Sequence, residues 1–174
     1  KHPCQDAAMH ALVLGQTLLG ERLWDIGIVL NYIRQSTNEI DSIGIMGNSL
    51  GGTLGIFASA LYEDISFCIA SGCFSSFDES LLRTPHCVDL YIPHLRRYFE
   101  YGDIVGLAAP KSMLIIQAVN DRLFPFKGVC DQYKKARRIY KAVEAEDRLR
   151  LEVAYSGHRF YDDLATAGSK ALNL

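Results

Sequence analysis

A glycine-flanked serine, a carboxylate and an imidazole, in that chain order, are the residues of this sequence best suited to covalent chemistry. Gly47-Asn48-Ser49-Leu50-Gly51-Gly52 follows the apolar run Ile43 to Met46 and leads into small residues from Thr53 to Leu61. A Gly-x-Ser-x-Gly pattern that ends a buried strand and opens a helix predicts a nucleophile elbow, a turn so tight that the serine hydroxyl is pushed clear of the sheet. A Cβ at Gly47 or at Gly51 is expected to collide with the strand or helix crossing close by, and Gly52 extends the clearance. Because the helix starts directly after Ser49, its unpaired N–H groups and positive dipole end face the point where an oxyanion would form. The backbone N–H of Leu50 is therefore the candidate oxyanion donor. So short a pattern recurs by chance, and its context has to supply the rest.

A serine hydroxyl is a poor nucleophile unless a base takes its proton, and that base needs a carboxylate to fix its tautomer and stabilise the imidazolium. Asp121 stands just beyond one predicted strand, and His158 just beyond the next. In open α/β sheets, reactive groups gather outside the carboxyl ends of the strands, the edge that also presents Ser49. Asp121 also fits an Asx turn or a helix cap ahead of Phe124 to Lys127. Its rivals are Asp131, expected to be solvated, and Asn120, which carries no charge. His158 in Ser156-Gly157-His158 also fits an ordinary turn histidine. His86 and His94 fall before the third strand, where a base would not follow an acid, and surface placement is expected for both. His2 and His10 lie near the N-terminus.

The elements that must position these groups are legible in outline. From Gln5 to Gln35 apolar residues recur at helical spacing, giving two helices or one bent helix, with Asp6 as N-cap and a break marked by Gly15 and Gly20. After a polar turn at Ser36 to Asp41 come a first strand, Ser42 to Met46, the elbow, and a helix, Leu50 to Tyr62. Further strands are predicted at Ser66 to Ala70, Ser112 to Val119 and Leu149 to Ala154, with helices at Lys127 to Ala145 and after His158. Ser75 to Ala109 reads as a cap or binding-wall insertion containing one helix from Pro93 to Tyr101. Its aromatics Phe77, Tyr91, Tyr98 and Phe99, with Phe74 just ahead of it, are expected to pack in core and cap. Continuous apolar strands alternating with helices predict an α/β fold, a mostly parallel sheet of about four strands with helices on both faces.

Composition narrows the rest. At 174 residues and 49% hydrophobic content the chain forms one domain, 1–174, with a real core. A net charge of −2 without long single-sign runs excludes an electrostatic footprint for nucleic acid or an anionic membrane, and Lys134 to Arg138 reads as a solvated helix face. Five scattered cysteines with no C-x-x-C pair suggest free thiols in a reducing cytoplasm rather than a disulfide framework or a metal site, and Cys73 reads as a buried structural thiol. No run is long enough for a membrane span. No metal and no cofactor are expected.

Four stretches carry a family resemblance: Gln5 to Leu30, Ile45 to Thr53 (IMGNSLGGT), Asp103 to Phe126 (ending NDRLFPF) and Gly157 to Tyr161 (GHRFY). Together they resemble the acetyl-xylan-esterase and dienelactone-hydrolase-like branch of the α/β-hydrolase superfamily, and the order Ser, Asp, His is the one that superfamily uses. The resemblance implies Ser49 as nucleophile, Asp121 as triad acid and His158 as general base, acting on a small-molecule carboxylic ester. Two departures stand out: Asn48 replaces a frequent histidine of the elbow, and nothing before Gln5 matches the early strands or the loop that supplies a second oxyanion N–H. With Lys1 as its first residue, the chain is therefore expected to be the C-terminal part of the fold, N-terminal strands absent, with the first strand an exposed edge open to pairing in a homo-oligomer. Oligopeptidase or thioesterase chemistry, or a truncated relic with half an oxyanion hole, are the alternative readings.

Overall fold

The computed structural model describes residues 3–37 and 39–174; the expectations that touch His2 and Asn38 lie outside the described residues. Four strands, β1 (Ile43–Asn48), β2 (Ile65–Ser71), β3 (Ser112–Ala118) and β4 (Leu149–Ala154), form one sheet in the order β1-β2-β3-β4. Every neighbouring pair is parallel. Parallel neighbours need crossovers, and here they are α3 (Leu50–Leu61), the segment holding α4 (Leu95–Tyr98) and α5 (Tyr101–Leu107), and α6 (Phe126–Ala142). Ahead of the sheet lie α1 (Pro3–Val13) and α2 (Leu18–Ser36), and α7 (Asp162–Ala171) follows it.

Side-chain size decides how closely each helix approaches. The buried residues of α3 are Gly52, Thr53, Gly55, Ile56, Ala58 and Ser59, mostly small, so its backbone lies close against β1 and β2. In α6, Val129, Gln132, Ala136 and Tyr140 recur at helical spacing and are buried, while Lys134, Lys135, Arg137 and Arg138 face solvent as the charge pattern predicted. The larger apolar cluster joins α2, α3, α5 and α6 to one sheet face; a smaller one sets Tyr161 and Ala165 against Ile69, Leu114 and Ile116 on the other. At the bottom of the sheet Lys111 Nζ donates to the Ser59 and Tyr62 carbonyls, and Tyr140 Oη donates to Lys111 O at 2.9 Å.

The structure corrects four details. Asp6 lies inside α1 rather than capping it; the helical break falls at 14–17, and Thr17 caps α2 by accepting from Gly20 N at 3.1 Å, which leaves Gly20 within the helix. The single helix expected over Pro93 to Tyr101 is only the four residues of α4, because the chain is extended at Phe99 and Glu100. There Glu100 N donates to Asp103 Oδ2 at 2.8 Å, starting α5, whose two glycines hid it from propensity. Of the aromatics expected to pack, Phe74 and Phe77 are buried against Tyr101, whereas Tyr91, Tyr98 and Phe99 are exposed. Lastly, His86 is half-buried rather than on the surface; His94 is exposed.

Candidate active site

The turn from β1 to α3 holds Ser49 at φ 55° and ψ −124°, a backbone conformation that a side chain adopts only under constraint. The constraint is visible on both sides: Ser49 N donates to Ser71 O at 2.9 Å, and Ser49 O accepts from Thr53 N at 2.9 Å. The crowding expected at Gly47 and Gly52 is present, and that expected at Gly51 is not. A Cβ on Gly47 would overlap the Gly51 carbonyl and lie 2.7 Å from Gly52 N, and one on Gly52 would lie 2.6 Å from Cys73 Sγ. At Gly51 nothing lies within 4 Å, so this glycine of the motif is not required for clearance. The reason is directional: Gly47 and Gly52 face the strand-helix crossing, and Gly51 faces outward.

Beyond β3, Asp121 is 4% exposed and its two oxygens do separate things. Oδ1 accepts from Leu123 N at 2.9 Å and Phe124 N at 3.2 Å, closing the turn that leads into α6. Oδ2 accepts from Gln117 Nε2 at 2.9 Å and lies 2.9 Å from His158 Nδ1. The turn reading of Asp121 is thus met by Oδ1, while Oδ2 is the oxygen that faces the imidazole. An oxygen facing Nδ1 holds the imidazole with Nδ1–H toward the carboxylate and leaves Nε2 as the free base. The Phe124 ring stacks on the imidazole with centroids 5.9 Å apart.

Ser49 and Arg159, the residue after His158, are both tied to Ser71 at the end of β2. Ser71 O takes the Ser49 N–H, while Ser71 Oγ donates to Arg159 O at 3.2 Å. Gly72, at φ 58°, leaves room for the ring: a Cβ there would lie 3.3 Å from His158 Nδ1 and 3.2 Å from Asn48 Oδ1. The imidazole thus sits over the β2 end beside the residue that precedes Ser49. The Ser49 hydroxyl is not hydrogen-bonded to the ring in this structure, a link that catalytic serines often complete only with substrate in place. Asn48 Oδ1 is buried without a hydrogen-bond partner, an acceptor left over at the elbow.

Around this edge the buried thiols are inert. Burial pushes Cys73 well above the ordinary thiol range, with the Asp121 charge adding to the effect, and Cys68 is pushed up to about 12 by burial. His86 is a residue the sequence reading set aside. Its Nε2 lies 2.9 Å from Ser80 Oγ, which itself donates to Leu123 O at 2.7 Å, and its ring packs edge-on to Phe124 at 4.9 Å. Gln117 was also missed: it reads as a strand residue, yet its amide ties Asp121 Oδ2 to Phe74 N, which donates to Gln117 Oε1 at 3.3 Å. Only the inward-facing position of a polar residue in an apolar strand could have signalled it. Asp131 is exposed on α6 and Asn120 donates to Tyr155 O, so neither rival competes with Asp121.

Cys4, Cys87 and Asp89 form the cluster of metal-ligating types found among the described residues, and it lies at α1 and the 86–90 loop rather than among Ser49, Asp121 and His158. No helix among the described residues is long and apolar enough to cross a membrane.

No family model matches the chain. It is 31% identical over 153 residues, 84% of its length, to "Putative hydrolase YtaP" of Bacillus subtilis (strain 168), and it covers 50% of that protein. Among solved structures, a carbohydrate esterase family 15 glucuronoyl esterase from Caldicellulosiruptor kristjansonii superposes with TM-score 0.73 at 16% identity, over 89% of this chain and 49% of that one. A "putative acetyl xylan esterase" from Bacteroides fragilis NCTC 9343 gives TM-score 0.70 at 19% identity, over 87% of this chain and 40% of that one. The chain spans about half the length of the relatives it matches. With its all-parallel sheet, its elbow and its covering helices, the chain has the α/β-hydrolase fold in part, as the sequence resemblance implied.

Proposed function

We propose that this chain is the catalytic part of a serine-dependent carboxylic ester hydrolase of the acetyl-esterase kind. The observation that carries the reading is the shared β2 terminus: Ser71 holds Ser49 through its backbone carbonyl and the His158 loop through its hydroxyl, beside the closed Asp121–His158 pair. The esterase neighbours and the hydrolase relative support the same chemistry.

In this reading the neutral imidazole takes the Ser49 proton at Nε2 as Oγ attacks the ester carbonyl carbon. Asp121 Oδ2 holds Nδ1–H and stabilises the imidazolium that forms. The developing oxyanion is met by Leu50 N–H at the start of α3, where the helix dipole favours negative charge. The imidazolium then protonates the departing alcohol, leaving an acyl-serine. Water, deprotonated by the same ring, attacks the acyl carbon and releases the carboxylic acid. The substrate is a small ester, and no cofactor enters any step.

A fluorophosphonate probe tests the reading, because it forms a bond only to an activated serine. Labelling of one site, lost in Ser49→Ala and in His158→Ala, is expected; labelling that survives Ser49→Ala would sink the assignment. A panel of short acyl esters, acyl thioesters and aminoacyl amides then separates esterase from thioesterase and oligopeptidase chemistry.

A further inference from the structure

Far from Ser49, two thiols from opposite ends of the N-terminal half meet beside an ion pair whose carboxylate is buried. Cys4 comes from the first turn of α1, and Cys87 opens the 3-10 turn Val88–Leu90. Their sulfurs and a carboxylate oxygen of Asp89 all lie within 4.8 Å of one another. Asp89 is buried, and its Oδ2 pairs with Arg22 Nε from α2. The guanidinium also reaches Cys4, with Nη2 3.8 Å from Sγ. Cys87 Sγ donates to the other carboxylate oxygen, Asp89 Oδ1, at 2.8 Å. A concavity lined by Cys4, His86, Cys87 and Tyr91 gives solvent access.

From this juxtaposition we infer that Cys4 and Cys87 are a dithiol pair that closes to a disulfide, pinning α1 to the 86–90 loop. The two thiols are in different electrostatic settings, which sets the order of the steps. Cys4 Sγ accepts from the Arg22 guanidinium while Cys87 Sγ is held as a donor to Asp89, an asymmetry that makes Cys4 the attacking sulfur. Burial and the Asp89 carboxylate push the Cys87 thiol above its ordinary range, so it stays protonated until its partner has reacted. The oxidant is a low-molecular-weight disulfide. Cys4 thiolate attacks one of its sulfurs, the S–S bond breaks, and one thiolate leaves. Cys87 then gives up its proton by way of Asp89 Oδ1, attacks Cys4 Sγ and expels the second thiolate. The protein loses two electrons and two protons, and the reagent is reduced to two thiols. Closure requires the sulfurs to come from within 4.8 Å of one another to a bonding distance of about 2 Å.

The same three ligand types could suit a thiophilic cation, but Arg22 already lies against Asp89 Oδ2 and Cys4 and supplies the positive charge of the cluster. The bond would also act on the site's surroundings, since Cys87 follows His86, whose ring packs on Phe124.

The test treats the whole protein with glutathione disulfide, alkylates the free thiols and maps peptides by mass. A Cys4–Cys87 linked pair is expected, formed at least about tenfold faster in the folded protein than in urea, where the pairing is no longer preferred. Cys4→Ser and Cys87→Ser should each abolish it and leave glutathione on the remaining cysteine. The wild-type measurement stands alone if either variant fails to fold. Both thiols alkylated after oxidation, or glutathione held on either cysteine of the wild type without ring closure, would overturn the inference. So would protection of both thiols by equimolar zinc, lost in Asp89→Asn, with no linked pair formed.

Discussion

β1 and β3 are parallel strands of one sheet with opposite surroundings. From Met113 to Ala118 every residue of β3 is buried, whereas β1 alternates, with Ile43 and Ile45 packed on the larger apolar cluster and Met46 62% exposed on the other face. Each strand ends in a group proposed for catalysis, yet the two ends are made by different physics. Ser49 is placed by backbone crowding among Gly47, Gly51 and Gly52, all within a few residues of it. Asp121 is placed by Gln117, His158 and the Leu123 and Phe124 amides, inside a core that also needs His86 and Ser80. One end is local and nearly all-or-none; the other is a distributed network that fails by degrees.

Replacing Asp121 by Asn should show how far the network matters to chemistry. The amide keeps a carbonyl for the Leu123 and Phe124 N–H groups but turns a donor toward Gln117 Nε2 and His158 Nδ1–H. The ring is then driven to the wrong tautomer, a change that costs about 10⁴ in rate in a serine-protease triad. We expect a loss of that order in kcat/KM for a short acyl ester, with stability lowered by about 1–3 kcal/mol from the unpaired buried donors. A variant that hydrolyses within tenfold of the parent would remove Asp121 from the mechanism.

The local end gives a sharper contrast, between two glycines of the same motif. Gly47→Ala forces a Cβ into the Gly51–Gly52 peptide, which is backbone with no flexible side chain to yield. A loss of about 3 kcal/mol or more is expected, at the upper end for overpacked sites. Gly51→Ala meets open space in the first turn of α3 and should be neutral or stabilising by about 0.5–1 kcal/mol, as Gly to Ala in a helix is. Urea denaturation of the two variants decides it, and equal losses would mean that the elbow is not held by the crowding described.

A smaller effect distinguishes the network by pH. Burial pushes His86 below the ordinary imidazole value and the His158 ring adds to this, while the Leu123 carbonyl and the Asp121 charge oppose it. A folded pKa below the unfolded value of about 6.5 means that the unfolded chain binds more protons in between. The stability this gives is complete above the unfolded value and is lost as pH falls from there through the folded pKa. Tm should therefore drop more between pH 7 and pH 5 in the parent than in His86→Gln, which retains a donor for Ser80 Oγ. Parallel Tm profiles would show that His86 is not held neutral against Phe124.

What the sequence revealed follows the same division. The strand–Ser49–helix passage was legible because glycine spacing and an apolar run encode it within a dozen residues. Asp121 and His158 were legible as positions after strands, since the parallel sheet brings all strand ends to one edge. What could not be read is what depends on distant partners: the inward amide of Gln117, the burial of His86, the Arg22–Asp89 pair and the thiols beside it. The start of α5 was hidden for a different reason, since a helix of seven residues with two glycines has no propensity signal of its own and is held by Glu100, Asp103 and packing against α6.

The smallest expected effect concerns the open side itself. On α2, Trp24, Ile28, Val29 and Tyr32 are all more than half exposed, and the groove between α2 and β1 is lined by Ile26, Val29, Ile33, Ile43 and Ile45. An apolar surface of this kind beside an unpaired strand edge gains nothing from burial while it faces water. Ile28→Lys should then shift the stability of the chain by less than about 0.5 kcal/mol. Ile56→Ala, in a fully buried residue of α3, should cost about 2–5 kcal/mol. The two urea midpoints measured side by side state how unequal the halves of the sheet are. If Ile28→Lys costs as much as a core substitution, α2 is covered in solution, by a second copy or by further polypeptide, and the contrast between β1 and β3 belongs to the isolated chain alone.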